Sequence, residues 1–225
     1  MPFDPLPESL SEICRPPFAA DFRAVELGCG DGRLLAILRR DGLHCTGLDR
    51  LPRAAGSMAD VVGDACRPPF LPGSLDLLVA GNFVRHLLPR RPDGAFLREW
   101  LGLLRPGGSL FVLEDEPGAG AAAANYRDLQ AFLARLDPLG RGPLVSANAF
   151  RQVLAPDLAA TIGDSGVMDN RWPLDAAAVT AMLASGRPAP GRTAARLLAS
   201  IGANGIACGR QWWCRLTNPG GSALR

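Results

Sequence analysis

The sequence predicts an α/β fold: a doubly wound, mostly parallel sheet of seven strands, with helices on both faces and extra helices between the last two strands. Short strand patterns alternate with helical ones, which is typical of a parallel sheet built from crossover connections. The strands are almost continuously apolar, as expected of strands that are covered on both faces. Acidic residues follow or close four of the first five strands, and the carboxyl ends of parallel strands line one crevice. These acids are Glu26, Asp49, Asp64 and the pair Glu114 and Asp115.

Composition and charge exclude several function classes. The chain has 225 residues, 48% of them hydrophobic and 20% charged, which fits a globular protein with a sizeable core. Its formal net charge of +2 is too small to indicate a nucleic-acid partner. There is neither an apolar run long enough to span a membrane nor a secretion signal, so we expect a cytoplasmic protein without a membrane partner. The six cysteines contain no C-x-x-C pair, so we expect neither a metal site nor disulfides.

The N-terminal half alternates strands and helices. A short helix is predicted over Glu8–Cys14, and Pro16 and Pro17 end it. After a glycine-rich turn, a second helix begins at Arg33 with an apolar stripe of leucines and ends near Gly42. A third helix, Phe96–Leu104, is broken by the turn 105–108. The strands predicted in this half are Ala24–Leu27, His44–Asp49, Asp60–Asp64, Leu75–Ala80 and Ser109–Leu113.

The C-terminal half is mostly helical. An alanine-rich helix over Ala119–Leu136 carries the only tyrosine, Tyr126. Ser146 is a plausible N-cap for a helix over Ala147–Leu154. We expect nearly forty residues of helix between the last two strands, which is more than is needed to close a sheet. The remaining predicted elements are the strands Val167–Trp172 and Gln211–Thr217 and the helices Asp175–Ala184 and Thr193–Ile201.

The glycine-rich turn after the first strand is the strongest candidate for a ligand site. Residues 26–32 read Glu-Leu-Gly-Cys-Gly-Asp-Gly, and glycine tolerates positive φ and the close approach of a ligand. The helix that follows offers free N–H groups. A dinucleotide fingerprint would need its third glycine one residue later, and Glu26 would repel a pyrophosphate. The alternative is an ordinary tight turn without a ligand.

An acid followed by G-x-G-x-G resembles the first motif of the class I S-adenosylmethionine (SAM) methyltransferases. Residues 46–49, Thr-Gly-Leu-Asp, are similar to the second motif of that family, and Gly63–Asp64–Ala65 to the third. Residues 69–79 resemble the family's run into strand four, and residues 103–108 its turn before strand five. The resemblance covers about residues 24–116.

The resemblance implies that SAM is the cofactor and that the site residues have defined roles. An acid beneath the turn suits a ligand with an ammonium group and no phosphate. Asp49 would take the ribose hydroxyls, and Asp64 the adenine amino group, while the N–H of Ala65 meets the ring. Arg50 stands where the family often has an apolar residue on the adenine; it would stack there, or Leu51 would take its place. The cofactor-binding set is then Glu26, Gly28, Cys29, Gly30, Asp49, Arg50, Asp64, Ala65 and Asn82.

Methyl transfer requires an aligned nucleophile, exclusion of water and, for some acceptors, removal of a proton. His86 is a candidate general base because a histidine titrates near neutrality; the alternative is that it packs against the turn. Asp115 is a second candidate catalytic residue, which would face the acceptor; the alternative is that it belongs to a solvated loop. We expect His44 in the core. Trp212 and Trp213 must point to opposite faces of the sheet.

The sequence therefore predicts one domain over 1–225 that moves a methyl group from SAM to a small-molecule acceptor. It divides into an N-terminal helical lead-in (1–22), a cofactor-binding half (23–116) and an acceptor-side half with a helical insertion (117–225). The chain has no N-P-P-Y or D-P-P-Y run, which argues against a nucleic-acid substrate. The alternatives are a protein or RNA methyltransferase and a non-catalytic SAM-binding scaffold.

The extra helices have two possible roles, a lid over the acceptor or the face of a homodimer; we favour the lid, because excluding water assists a displacement that disperses the charge of the sulfonium. Their apolar residues suit either role: Val179, Met182, Leu183, Leu197, Leu198 and Ile201.

Overall fold

The computed structural model contains one seven-stranded mixed sheet with helices, and it confirms the predicted fold class. The strands are β1 (Ala24–Leu27), β2 (Cys45–Asp49), β3 (Val61–Val62), β4 (Leu75–Gly81), β5 (Leu104–Asp115), β6 (Ile162–Pro173) and β7 (Ala207–Thr217). The helices are α1 (Arg33–Arg40), α2 (Val84–Leu87), α3 (Ala95–Leu103), α4 (Ala121–Leu136), α5 (Ala147–Val153) and α6 (Arg192–Asn204). The structure describes residues 21–40, 42–52, 58–136, 142–154, 158, 161–173, 176–177, 179–180 and 192–220.

The strand order is β3-β2-β1-β4-β5-β7-β6. The first five strands pair in parallel, whereas β7 runs antiparallel to both β5 and β6. Because the order reverses between β1 and β4, a ligand crevice is expected beyond the carboxyl ends of these two strands. This edge of the sheet carries the acids that the sequence singles out.

Several elements differ in extent from the prediction. Strand β5 begins at Leu104, so the turn predicted at 105–108 lies within its bounds. The register shifts there, because Leu75 pairs with Leu104 while Leu77 pairs with Ser109. Strand β3 is reduced to two residues, which places Asp64 beyond its end. The helix predicted over Glu8–Cys14 and most of the one predicted over Asp175–Ala184 lie outside the described residues.

Strands β6 and β7 are longer than predicted because they pair with each other along most of their length. Such pairing is fixed by contacts between distant residues, which alternation in the sequence does not reveal. The predicted helix cap is confirmed: the hydroxyl of Ser146 accepts a hydrogen bond from the N–H of Ala149 at 3.2 Å.

The core has apolar layers on both faces of the sheet. Trp100 of α3 packs in one layer and Leu38 of α1 in the other. Trp212 belongs to the first layer and Trp213 packs against the second, so the prediction of opposite faces is confirmed. The prediction that His44 is in the core is wrong. His44 is exposed and lies just before β2, which begins at Cys45.

A third apolar cluster joins α6 to α4. Leu197 and Ile201 of α6 are buried together with Tyr126 and Leu129 of α4, and Val179 belongs to the same cluster. The sequence analysis assigned Leu197, Ile201 and Val179 to a lid or a dimer face, and in the fold these three side chains are covered by the chain itself. None of the described helices is both long and apolar enough to cross a membrane.

Candidate active site

The glycine turn is shaped by positive φ angles and tied to the neighbouring strand. Gly28, Gly30 and Gly32 have φ angles of 68°, 50° and 76°. The N–H groups of Gly28 and Cys29 donate to the carbonyl of Leu48 at 2.8 and 3.1 Å. The turn therefore continues the sheet's hydrogen bonding while its backbone follows a path that favours glycine.

An aromatic ring from beyond β4 closes on this turn. A Cβ atom added to Gly28 would lie 2.1 Å from the ring of Phe83. That ring stacks on Trp100 of α3 with centroids 6.3 Å apart. Gly28 is thus required both for its backbone angle and for the space that Phe83 occupies.

Glu26 lies beneath the turn as a buried acid with a free oxygen. It is 3% exposed, and among the described residues its Oε2 atom has no hydrogen-bond partner. Burial raises the pKa of Glu26 to about 8; the charges of Asp31 and Asp49 add to the rise, and Arg39 opposes it. A buried carboxyl of this kind is matched by a ligand that brings a positive charge and N–H donors.

Asp49, the last residue of β2, is half-buried and already accepts two backbone hydrogen bonds. Its Oδ2 accepts from the N–H of Gly30 and its Oδ1 from the N–H of Leu51, both at 2.9 Å. A carboxylate can accept about four hydrogen bonds, so two remain available for a diol. Asp49 therefore holds the glycine turn in addition to its predicted role. Arg50 and Leu51 beside it are exposed.

The predicted adenine end lies at the turn after β3. Asp64 is exposed, and its Oδ1 accepts from the N–H of Cys66 at 2.8 Å. Ala65 is buried, and its carbonyl accepts from the indole N–H of Trp100 at 2.7 Å. Trp100 thus fixes this turn to α3 while packing against Phe83 at the glycine turn.

The sequence did not indicate that Met58 and Asp60 contact the glycine turn and the neighbouring strand. The N–H of Met58 donates to the carbonyl of Gly30 at 2.7 Å, and a Cβ atom on Gly32 would lie 2.5 Å from Met58. Asp60 accepts from the N–H of Gly47 at 2.8 Å and also pairs with Arg39. Asp60, the acid just before β3, was a signal for this contact, but the sequence analysis placed it in the strand itself.

Asn82 joins the carboxyl ends of β4 and β5. Its N–H donates to the carbonyl of Leu113 at 2.7 Å, and its Oδ1 accepts from the N–H of Asp115 at 2.8 Å. Its φ of 52° is left-handed, a conformation that asparagine tolerates better than most residues. Its predicted contact with the cofactor remains a prediction.

Asp115 belongs to a buried network and not to a solvated loop. It is 5% exposed; its Oδ1 accepts from the side-chain amide of Gln211 at 2.7 Å, and its Oδ2 accepts from the hydroxyl of Tyr126. Burial raises the pKa of Tyr126, and the charge of Asp115 raises it further, so the phenol stays protonated. Both carboxylate oxygens of Asp115 are therefore held in place.

Two neighbours of this network, Arg85 and Glu114, were not chosen as site residues from the sequence. Arg85 is 7% exposed and Glu114 0%. Glu114 accepts from the backbone N–H of Arg85 at 3.2 Å, and its Oε2 lies 3.9 Å from the Nε of Arg85. Burial raises the pKa of Glu114 to about 7, against the opposing charge of Arg85. The signal for Glu114 was its place near the end of an apolar strand.

His86 lies on the α2 turn, half-buried. Its N–H donates to the carbonyl of Phe83 at 2.9 Å, and its ring is 6.3 Å from the ring of Phe83 with a tilt of 49°. The ring of Phe83 therefore lies between His86 and the glycine turn. Its role as a base remains a prediction.

A cavity of about 360 Å³ lies at the opposite edge of the sheet, where β1 and β4 begin. His44, Thr46, Phe70 and Leu71 are among its lining residues. The residues predicted to bind the cofactor or act in catalysis are not among them, so this cavity is distinct from the candidate active site.

Comparison with known proteins agrees with the geometry. Residues 25–112 match the family described as methyltransferase domain. A demethylmenaquinone methyltransferase of Beutenbergia cavernae is 34% identical over 123 residues, which are 51% of this chain and 50% of that protein. The chain spans about half the length, or less, of the curated relatives it matches.

Solved structures share the fold over most of the chain. A cyclopropane-fatty-acyl-phospholipid synthase-like protein from Lactobacillus casei has a TM-score of 0.63 at 15% identity, covering 93% of this chain and 88% of that one. A SAM-dependent methyltransferase from Archaeoglobus fulgidus has a TM-score of 0.55 at 15% identity, covering 93% of each chain.

Proposed function

We propose that this chain, which carries a class I SAM-dependent methyltransferase domain, transfers a methyl group from SAM to a small-molecule acceptor bound beyond β4 and β5. The single observation that carries the proposal is Glu26, a buried carboxyl beneath a glycine turn, one oxygen of which has no hydrogen-bond partner within the described part of the chain. The ammonium group of SAM supplies the charge and the N–H donors that this carboxyl lacks.

The other predicted residues fit the remaining parts of the cofactor. Asp49 retains acceptor positions for the two ribose hydroxyls while it holds Gly30. Asp64 and Ala65 lie at the next strand end for the adenine, and the exposed Arg50 or Leu51 can cover the ring. When bound, SAM supplies an electrophilic methyl group on a sulfonium.

The acceptor has its own group of side chains at the ends of β4 and β5. Asn82 and Asp115 fix these strand ends to each other, and Tyr126 and Gln211 fix the carboxylate of Asp115. The work of this half of the site is to orient the acceptor, exclude water and remove a proton where the acceptor carries one. His86 is the base that the sequence proposes.

A small-molecule acceptor is supported by charge and by one relative. The net charge of +2 gives no basis for binding a polyanion. The relative from Beutenbergia cavernae is named for a small molecule, demethylmenaquinone. A protein or RNA methyltransferase and a scaffold that binds SAM without turnover are the competing functions. Release of S-adenosylhomocysteine when the protein is mixed with SAM and a metabolite extract would exclude the scaffold.

Calorimetric titration with SAM tests the cofactor assignment. Asp49→Asn removes the charge and keeps the shape of the side chain, so binding should weaken by roughly 1.5–3 kcal/mol. Asp128→Asn, an exposed acid on α4, is the matched control and should bind SAM as the wild type does. Equal affinity for SAM in Asp49→Asn and the control would contradict the assignment.

A further inference from the structure

A buried polar network continues from Asp115 to Glu114 through two other side chains. Tyr126 donates a hydrogen bond to Asp115, and Arg85 lies close enough to Tyr126 for the tyrosine to contribute to the rise in the pKa of Arg85. Arg85 also faces Glu114, whose carboxyl accepts the backbone N–H of Arg85. The network lies at the carboxyl ends of β4 and β5, on the far side of the strand-order reversal from Asp49 and Asp64. Under the proposed function, this is the side of the crevice where the acceptor binds.

The network is incomplete at one point. In the part of the chain that the structure describes, Arg85 Nε, Arg85 Nη1 and Glu114 Oε2 have no hydrogen-bond partner. The 3.9 Å between Nε and Oε2 is too long for a hydrogen bond. Buried polar groups are almost always paired, and a buried ion pair with poor geometry is costly. Capping the α2 turn explains one oxygen of Glu114 and leaves these three atoms unexplained.

The unpaired atoms determine which chemical group could form hydrogen bonds with all of them. Glu114 Oε2 requires a donor, and the guanidinium N–H groups require an acceptor. A hydroxyl is both, since it donates one hydrogen bond and accepts two. A neutral amine has a single lone pair, which a hydrogen bond from Arg85 would occupy and so withhold from the methyl group, and an ammonium group would be repelled by Arg85. A carboxylate only accepts and would be repelled by Glu114.

We propose that Glu114 and Arg85 bind the reacting hydroxyl of the acceptor, which makes this domain an oxygen-directed methyltransferase for phenols or enols. The inference rests on the proposed function. Glu114 Oε2 takes the hydroxyl proton, and Arg85 stabilises the oxyanion. An oxygen lone pair forms the new bond to the methyl carbon, and the electrons of the broken carbon–sulfur bond stay on sulfur as a thioether. Glu114 then releases its proton to solvent.

The electrostatics agree with these roles. Burial raises the pKa of Glu114 to about 7, near the pH at which a general base works best. Burial by itself would lower the pKa of Arg85, but the charge of Glu114 and the neighbouring Tyr126 and Asp115 outweigh it, so the guanidinium stays charged. The titratable groups that face Glu114 are Arg85 on α2 and Asp115 beside it on β5.

The test uses the full chain with SAM and a defined set of acceptors: phenols, enolisable 1,3-diketones, primary amines and carboxylic acids of similar size. Turnover is measured as release of S-adenosylhomocysteine. We expect turnover of phenols or enols. Glu114→Gln should then lower kcat roughly 10²-fold or more with little change in KM, and it should remove the rise of rate with pH below neutrality. Arg85→Lys should retain part of the activity that Arg85→Met loses.

A binding measurement supplies a readout independent of turnover. With S-adenosylhomocysteine bound, the wild type should lower the apparent pKa of bound p-nitrophenol, which is seen as phenolate absorbance, and Arg85→Met should not. The exposed residues Arg127 and Asp128 provide the matched controls Arg127→Met and Asp128→Asn. If Glu114→Gln does not fold, the phenolate absorbance of the wild type and of the Arg85 variants still tests the proposal.

Three outcomes would overturn the proposal. They are methylation of amines or carboxylates in preference to hydroxyls, full activity with an unchanged pH profile in Glu114→Gln, and neither binding nor turnover of any phenol or enol. SAM titration separates these outcomes from failure of the proposed function. A protein that binds SAM and methylates amines keeps the function and loses only the hydroxyl site, whereas one that does not bind SAM loses both.

Discussion

Glu26 and Asp49 lie on neighbouring strands, yet their charges are compensated very differently. Asp49 accepts two backbone hydrogen bonds at 2.9 Å, so its charge is stabilised without a ligand. Glu26 is buried and has one oxygen without a hydrogen-bond partner among the residues that the structure describes, and burial raises its pKa to about 8. The ligand-free protein therefore holds Glu26 mostly protonated at neutral pH. A ligand with an ammonium group must displace that proton.

This difference predicts a pH dependence of cofactor binding. Between pH 6 and 8 the affinity for SAM should rise with pH, because binding favours the carboxylate form of Glu26 and releases its proton. The slope should approach tenfold per pH unit well below the pKa and flatten above it. Calorimetry in two buffers of different ionisation enthalpy measures the released proton directly. Glu26→Gln should weaken SAM binding and remove the proton release.

The same residue sets the sign of a stability effect without ligand. A raised pKa means that the folded protein binds the proton more tightly than the unfolded chain does. The stabilising contribution is thus complete below about pH 4.5 and is lost as the pH rises through about 8. Glu26→Gln should therefore be more stable than the wild type above pH 8 in urea unfolding without SAM. A wild type whose stability and SAM affinity are both flat from pH 6 to 9 would contradict the assignment.

At the scale of elements, the glycine turn depends on contact between β1 and the start of α2. A Cβ atom on Gly28 would lie 2.1 Å from the ring of Phe83, while the nearest atom to one on Gly30 is 4.0 Å away. Both glycines have positive φ, so each substitution strains the backbone, but only Gly28 also loses space. The two positions therefore separate strain from steric overlap.

Gly28→Ala should destabilise the protein by several kcal/mol and abolish SAM binding, whereas Gly30→Ala should cost about 1–2 kcal/mol. Phe83→Leu in the Gly28→Ala background should recover part of the stability, because it removes the overlapping ring atoms. Thermal unfolding and SAM titration of the three variants measure this. Equal losses in Gly28→Ala and Gly30→Ala, with no recovery from Phe83→Leu, would show that the ring does not pack as described.

Elements that depend on local signals were predicted well. Strand β1 and the start of α1 agree with the prediction, because an apolar run, three glycines and a leucine stripe define them within a few residues. Strand β5 was predicted too short, because its first residues pair through a register shift with Leu75 of β4. That pairing joins distant parts of the chain, and the Pro-Gly-Gly sequence at 106–108 by itself indicates a turn.

At the scale of the molecule, one part of the candidate site is indicated by local sequence signals and the other depends on contacts between distant residues. The residues predicted to bind the cofactor follow consecutive strands, so strand ends and glycines were enough to propose them. The buried polar network at the ends of β4 and β5 joins residues that are far apart in sequence: Glu114 accepts a hydrogen bond from a residue 29 positions away, and Asp115 from one 96 positions away. No local pattern indicates such contacts, which depend on how α2, α4 and β7 meet β5.

The third apolar cluster leads to the last prediction, which concerns α6. Ile201 is 1% exposed and packs in the cluster that contains Tyr126 of α4, the residue that holds Asp115. If α6 were primarily a dimer face, its apolar stripe would be open in the single chain. In the structure α6 instead packs against α4, the helix that carries Tyr126.

Ile201→Ala should therefore lower the free energy of unfolding by about 2–5 kcal/mol, because it leaves a cavity in a closed cluster. Leu198→Ala, a half-buried neighbour on the same helix, should cost less. Urea unfolding at several protein concentrations makes the measurement, with sedimentation velocity for association. A loss of stability that is independent of concentration supports the internal packing. A small loss together with weaker association in Ile201→Ala would instead make α6 a dimer face, and hydrogen exchange of residues 192–204 should then slow as the protein concentration rises.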